Sequence, residues 1–216
     1  MTTREQSEQP PTRERHEPRT DKGTQTRRRL LEAAEQVFAE RGYHDSSIVK
    51  ITEAAGVAGG TFYIYFKSKQ DIFDELVIDL NHRVRQAMAE GSSRGTSRSD
   101  AERRGFEAFF RFTGEHPALY RIIRQAEFVS PHTLRLHYER IVQGYVEGLD
   151  RAQEAGEIAA LDSDVVAWAL MGAGELIGMR YVLWDDQRRI PEHVFAETMR
   201  FVRRGLGAAA DQEEGS

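Results

Sequence analysis

Cysteine is absent from the 216 residues, which excludes disulfide staples, zinc ribbons and thiol nucleophiles together. The seven histidines are scattered and build no Cys-type metal site, so neither a metal nor a cofactor is expected. Long apolar runs are also lacking. The longest, Val165 to Gly174, is interrupted by Glu175 and then Arg180, short of the roughly 20 apolar residues that a bilayer span needs. No membrane partner is expected. The first 30 residues are almost entirely Arg, Glu, Gln, Thr and Pro and offer no apolar signal-peptide region. A chain of this kind suits a reducing cytoplasm. No serine-nucleophile motif, Gly-rich phosphate loop or His-Glu metal spacing occurs, so no catalytic residue is assigned and an enzyme is not expected.

What is present is a chain with 39% hydrophobic and 30% charged residues, enough for one or two compact domains. Thirty Lys and Arg stand against 35 Asp and Glu, a net charge of -5, and that total does not by itself point to nucleic acid. The charge is unevenly divided. Residues 22–70 hold 8 basic and 5 acidic side chains, whereas residues 71–216 hold 18 basic and 25 acidic. A small basic head is joined to a larger acidic body, which would repel a polyanion everywhere except at the head.

Residues 1–21 carry three of the six prolines among mixed charges and no core-forming side chain, and read as a disordered arm. From Thr24 to Arg41, Leu30, Leu31, Ala34, Val37 and Phe38 recur at helical spacing, and Gly42 follows as a C-cap. Asp45, Ser46 and Ser47 form an N-cap cluster before a short helix that Gly56 ends. The run Ala58 to Phe66 suits a third helix, although the alternation Phe62, Ile64, Phe66 also suits a strand. Helix is preferred because the run sits between two capped helices with no partner strand in sight. Ser68 caps a fourth helix running to about Glu90. Gly91 to Ser99 reads as a flexible connection. Five further helical patterns follow, over residues 101–114, 117–128, 131–156, 164–185 and 191–207, and 209–216 is a polar tail. The fold class is all-α with about nine helices. Its expected parts are a helix-turn-helix DNA-binding domain over 22–70 and a helical ligand-binding and dimerisation domain over 71–208.

Two short helices joined at Gly56 and followed by a long one describe a helix-turn-helix, whose second short helix enters the major groove. Thr61, Tyr63 and Tyr65 bring hydroxyls to the third helix, and Lys67 and Lys69 follow. Hydroxyls, lysines and helix N-termini are the groups that hold phosphate oxygens and set register. With Ile51, Ala55-Gly56-Val57, Gly60-Thr61-Phe62-Tyr63, Tyr65-Phe66 and Ser68-Lys69 in place, residues 24–76 resemble the TetR family of bacterial regulators. The resemblance implies that Phe62 and Phe66 are core, that Thr61, Tyr63, Tyr65 and Lys69 face DNA, and that Ser47 touches phosphate. Two departures stand out. Ala58 occupies the N-cap of the recognition helix where family members often carry Ser or Thr, and Gly59 follows where a Lys, Arg or Gln is common. Losing such a cap typically costs about 0.5–2 kcal/mol. Base specificity must then come from Thr61, Tyr63, Lys50 or DNA shape, or the helix orders fully only on DNA. Arg27, Arg28 and Arg29 open the first helix against its dipole, for which phosphate contact is one reason and solubility another. Tyr43 is expected to pack under the first helix.

DNA readers of this kind act as dimers on two half-sites, so the body must join two copies. The helix after Asp164 carries Gly172, Gly174 and Gly178, small residues that let a helix approach closely, with Trp168, Ile177, Tyr181 and Trp184 as anchors. The helix after Pro191 adds Phe195, Met199 and Val202. These two helices look like the four-helix dimer interface of TetR-type proteins. Ahead of them lie helices apolar on several faces, which suits either core or a cavity wall. The candidate wall comprises Phe106, Phe109, Phe110, Tyr120, Ile123, Phe128, Tyr138 and Met171. Arg124, Glu127, His137 and Glu175 are polar groups in the same runs, costly to bury without partners. Such a pocket suits a small apolar or aromatic effector.

The expected function is a repressor, a homodimer on a pseudo-palindromic double-stranded operator, that releases DNA when an effector moves the fourth helix and the Gly114–Pro117 corner. Two other readings remain. The regulator is constitutive or controlled by a partner protein, or, from a different class, the chain is a helical enzyme.

Overall fold

The structure, a computed structural model, describes residues 21–185 and 187–208. The arm expected over 1–21 and the tail expected over 209–216 lie outside the described residues, apart from Asp21, which opens the first helix. In chain order the helices are α1 (Asp21–Arg41), α2 (Ile48–Ala55), α3 (Gly59–Tyr65), α4 (Lys69–Ser92) and α5 (Arg98–Glu115). Then come α6 (Ala118–Val129), α7 (Pro131–Glu154), α8 (Ser163–Gly178), a π turn (Met179–Trp184) and α9 (Glu192–Gly205). Among the described residues there is no strand, so the Phe62–Phe66 ambiguity resolves as helix.

Local chemistry accounts for most boundaries. The hydroxyls of Ser47, Ser68 and Ser97 accept from the amides of Lys50, Asp71 and Asp100, and the Asp162 carboxylate accepts from Asp164 and Val165. Each satisfies amides that a helix start leaves unpaired. Pro131 is the first residue of α7, and Pro117 and Pro191 immediately precede α6 and α9. Gly56 closes α2 in the left-handed conformation, φ 62 and ψ 40, which a side chain would strain.

Two expectations need correction. First, α1 begins at Asp21, three residues before Thr24, with an acid in its first turn where the helix dipole favours one. Second, Gly91 lies within α4, which runs to Ser92, and Ser97 caps α5, so the expected Gly91–Ser99 linker shrinks to a short turn. The helix expected over 164–185 is present, with α8 and the π turn running together over Ser163–Trp184, and an 18-residue window in it has a mean hydropathy of 1.2. By length and composition alone that segment passes for a membrane span, because Glu175 and Arg180 interrupt the apolar run without stopping the helix.

The main apolar cluster joins α1, α2, α3, α4 and α6 through Leu30, Phe38, Ile51, Phe62, Phe66, Phe73, Ile122 and Ala126. It does not part near residue 70, where the domain boundary is expected. Instead α6 clamps the end of α1. The Gln125 amide donates to the Phe38 carbonyl at 3.2 Å and its oxygen accepts from the Tyr43 amide at 2.6 Å. A second cluster joins α5, α7, α8 and α9 through Phe106, Phe110, Leu149, Ala167, Leu170 and Val202.

Candidate DNA-reading face and effector pocket

The head places α3 on its outside. Phe62 and Phe66 point inward and are fully buried, while Tyr63 and Ile64 are 63% and 65% exposed. Gly59 and Gly60 are open, and Thr61 and Tyr65 are half-buried. Ala58 makes no side-chain cap to α3. On α2, Val49 is exposed and Ser47 is half-buried at the helix start. Lys50 is half-buried, its Nζ donating to the Asp45 carbonyl at 2.9 Å. Thus Ser47, Lys50, Gly59, Thr61, Tyr63 and Tyr65 lie on neighbouring short elements, with Ile64 and Val49 as apolar members that the sequence reading left out of the DNA set. Their signal was available: Ile64 falls on the opposite helix face from Phe62 and Phe66.

Three basic residues are engaged elsewhere. The Lys69 ammonium donates to the carbonyls of Tyr43 at 2.7 Å and Ser46 at 2.9 Å and lies 4.3 Å from the Tyr43 ring centroid. Burial pulls its pKa below the ordinary lysine value, with Asp45 opposing. Here the expected DNA contact Lys69 serves as a staple from α4 to the α1–α2 loop. Arg27, also expected at DNA, pairs with Glu75 at 3.0 Å and lies over the Phe66 ring, tying α1 to α4. Arg29 donates to the carbonyls of Ala55 and Gly56, satisfying the end of α2. Arg28 is exposed and forms only a surface pair with Glu32. Tyr43 packs against Phe38 and Phe73, as expected.

In the body, α4 to α8 surround an apolar pocket. Eight expected residues line it: Phe106, Phe109, Tyr120, Ile123, His137, Tyr138, Met171 and Glu175. Val84 and Met88 from α4, Leu119 from α6, Ile141 and Tyr145 from α7, and Leu170 from α8 also line it. The cavity itself is about 40 Å³, room for a water or two and far below the roughly 300–1,000 Å³ of a ligand pocket. Side chains therefore fill most of it, among them the unbranched and adaptable Met88 and Met171. Four expected residues are not in the wall. Phe128 is 81% exposed near the end of α6, and Arg124 and Glu127 are exposed because Ile122, Ile123 and Ala126 take the inner face. Phe110 packs edge-on to Phe195 in the second cluster.

Most polar groups of the wall have partners, but the buried Tyr120 hydroxyl has none among the described residues. Asn81 donates from Nδ2 to His137 Nδ1 at 3.1 Å and to the His137 carbonyl at 2.9 Å. Burial pushes the His137 pKa down to about 4, so the ring is uncharged at neutral pH. Tyr138 donates its hydroxyl to Glu175 at 2.9 Å. Burial raises the Glu175 carboxyl, while Tyr138 and Arg124 pull it back down. Burial likewise raises the Tyr138 and Tyr120 hydroxyls. Among the described residues no three His, Asp or Glu converge as a metal site.

The outer face of α8 is apolar, whereas α9 exposes Phe201 among Glu192, His193, Glu197, Arg200 and Arg204. Val165, Trp168, Leu176, Trp184 and Phe201 are exposed, and the spacing of Val165, Trp168 and Leu176 puts them on one helix face. Ile177 and Tyr181 are half-buried, while Phe195 and Met199 pack in part on their own core. Val202 is 2% exposed, so its expected place in a dimer contact is corrected: the turn of α9 aims it inward. The glycines divide in the same way. Gly172 faces open space, whereas a Cβ on Gly178 would collide with the Tyr120 hydroxyl and one on Gly174 would crowd Phe106.

Comparison with known proteins bears on most of the chain. Residues 30–76 match the family described as bacterial regulatory proteins, tetR family. The chain is 32% identical over 191 residues to YdgC of Bacillus subtilis (strain 168), an uncharacterized HTH-type transcriptional regulator, covering 86% of this chain and 94% of that one. It is 33% identical over 123 residues to the fatty acid metabolism regulator protein of the same organism, covering 56% of this chain and 62% of the relative. Its fold is similar to the crystal structure of Bacillus subtilis FadR in complex with stearoyl-CoA, with a TM-score of 0.71 at 22% identity over 85% of this chain and 99% of that one. Salmonella enterica GusR is similar with a TM-score of 0.72 at 25% identity over 84% and 95% of the two chains.

Proposed function

The chain belongs to the TetR family of bacterial regulatory proteins, DNA-binding transcriptional regulators, and from that premise we infer that it is a homodimeric repressor released from its operator by a small molecule with a long hydrocarbon portion. Residues 22–70 are the DNA-reading head and 71–208 the effector and dimer body. In the head, Thr61, Tyr63 and Lys50 read bases or grooves, Gly59 lets the backbone come close, and Ser47, Tyr65 and Arg28 hold phosphates. Lys69 and Arg27 serve DNA binding indirectly, by holding the elements in place. The apolar stripe from Val165 to Phe201 supports a dimer seam of α8 and α9 from each copy. The site of action is the cytoplasm, where bacterial operators lie, and no catalytic step is assigned.

The observation that carries effector control is the double duty of α6. One face supplies Leu119, Tyr120 and Ile123 to the pocket wall, and the other binds the end of α1 through Gln125. Arg83 on α4 reinforces the link by meeting Glu35 of α1 at 2.9 Å and His116 of the α5–α6 corner at 3.2 Å. An effector that parts the wall must move α6 or α4, and either shift carries the head. Recognition helices read half-sites about 34–36 Å apart, so displacements of a few ångströms matter. The effector must favour the DNA-incompetent state, typically by about 1–3 kcal/mol. The acyl class is supported by a wall that is apolar apart from His137, Glu175 and three tyrosine hydroxyls, and by the likeness to a fatty acid metabolism regulator and to FadR.

The test is operator affinity of the purified full chain, with operators recovered by genome-fragment pull-down, during titration with long-chain acyl compounds. A fall of about 5- to 150-fold is expected; unchanged affinity across the series removes the sensor role. The 40 Å³ cavity favours a second reading, a regulator governed by a partner or constitutive. That reading gains if no acyl compound alters operator binding.

A further inference from the structure

The apolar pocket has a neighbour. Met88, Ile141 and Tyr145 line it and also line a second space, a groove of about 550 Å³ between α4, α5 and α7. The two spaces thus lie on either side of these three side chains, which form a shared wall. Their linings differ sharply. The pocket is apolar except for neutral or paired groups, whereas the groove gathers His82 and Arg85 from α4, Arg98 from α5 and Arg151 from α7. The opposing acids are Glu102, which pairs with Arg98, and Glu157, which accepts from the Arg98 backbone amide. Arg85 and Arg151 have no ion-pair partner among the described residues and are exposed at the groove. Positive charge is therefore in excess.

Arg98 is the built part of this groove. Its guanidinium lies over Gly148, where a Cβ would collide with Nη1, so the glycine on α7 makes the space that it occupies. Its Nε is buried without a hydrogen-bond partner, an arrangement that costs free energy unless a further acceptor arrives. Desolvation and the neighbouring Arg151 both weaken its hold on the proton.

We propose that the groove receives the phosphate-bearing head of an amphipathic effector whose hydrocarbon tail enters the pocket between Met88, Ile141 and Tyr145 and runs toward Tyr138 and Glu175. The inference rests on the acyl-effector reading and adds its head, its orientation and the residues that select it. Three arginines from three helices suit several negative charges, since arginine matches phosphate oxygens in pairs. The volume points the same way. A groove of about 550 Å³ has the size of a whole ligand site, and a lone carboxylate would leave it almost empty. A head there would also bridge α4 to α5 and α7, adding its pull on α4 to the push of the tail on α6.

The experiment is calorimetric titration of the full chain with stearoyl-CoA, stearate and coenzyme A, on the wild type and on the Arg85→Ala/Arg151→Ala double variant. Both positions are exposed, so the fold is not at issue, and Arg98→Gln serves as a third protein. On the wild type, stearoyl-CoA is expected to bind at least about tenfold more tightly than stearate, the difference that one or two charge-assisted hydrogen bonds supply. The double variant and Arg98→Gln are each expected to lose most of that advantage, with a smaller loss for stearate, whose single carboxylate meets the same arginines. Equal affinity of the wild type for stearate and stearoyl-CoA overturns the proposal, as does undiminished stearoyl-CoA binding by the double variant. If neither tailed compound binds the wild type, the acyl reading itself fails and the head site falls with it, an outcome visible before any variant is made.

Discussion

The head and the body are both helical, yet they are packed for opposite purposes. The head is closed. Phe38, Phe62, Phe66 and Phe73 are fully buried, and its loops are stapled by Lys69, Arg27 and Arg29 to carbonyls and carboxylates. Its weak element is the one at the surface, the seven-residue α3, which starts Gly-Gly and lacks a side-chain cap. The body is looser inside, where aromatic and methionine side chains surround a small cavity, and it leaves an apolar stripe outside. The difference teaches that rigidity is placed behind the reading helix and deformability around the pocket, so that a change of shape below is delivered to the head as a rigid movement.

That contrast can be broken by substitution. Phe62→Ala in the head should cost about 3–5 kcal/mol, as truncation of a fully buried phenylalanine does, and abolish operator binding. Phe109→Ala, at a half-buried position on the existing cavity, should cost nearer 1–2 kcal/mol. Urea unfolding midpoints of the two variants compare them directly; equal losses would mean that the body is packed as tightly as the head.

Acid sharpens the contrast next. The His137 pKa falls from the ordinary 6.5 to about 4 in the folded body. Above pH 6.5 both folded and unfolded chains hold the ring neutral, and this group contributes nothing to the pH dependence. Between pH 6.5 and about 4 the unfolded chain takes up a proton that the fold refuses, so stability declines by about 3 kcal/mol in all. The loss should appear first as faster amide exchange in α4 and α7, and His137→Gln should flatten it. An unchanged profile in that variant would place the acid-labile group elsewhere.

The smallest expected effect concerns α3. Ala58→Ser should add the missing cap, slow amide exchange over residues 59–65 and strengthen α3 by about 1 kcal/mol. If ordering of α3 is part of the cost of binding, operator affinity rises with it. Slower exchange without tighter binding would show that α3 is already ordered in the free protein.

Legibility followed distance along the chain. Ser47, Ser68 and Gly56 were readable because each acts on groups within four residues, and Phe62 and Phe66 because helical spacing sets their face. Lys69 was not, since its partners Tyr43 and Ser46 lie 26 and 23 residues away and its charge looks the same whether it meets a phosphate or a carbonyl. Phe128 and Val202 were misplaced for a related reason: both are apolar residues on amphipathic helices, and only the rotation of each helix against its neighbours decides which faces outward. The second groove was missed altogether. His82, Arg85, Arg98 and Arg151 are scattered over three helices and look like ordinary surface charge.

By itself the sequence determined the helices, their caps, the helix-turn-helix and the division into a basic head and an acidic body, because these depend on composition and on contacts within a turn or two. Only the tertiary structure decided that α6 belongs to both pocket and head, that Gly174 and Gly178 receive aromatic rings from α5 and α6 whereas Gly172 faces outward, and that separate arginines line one groove. Those outcomes depend on how helices cross, and crossing is set by the sum of many weak contacts between residues far apart in the chain.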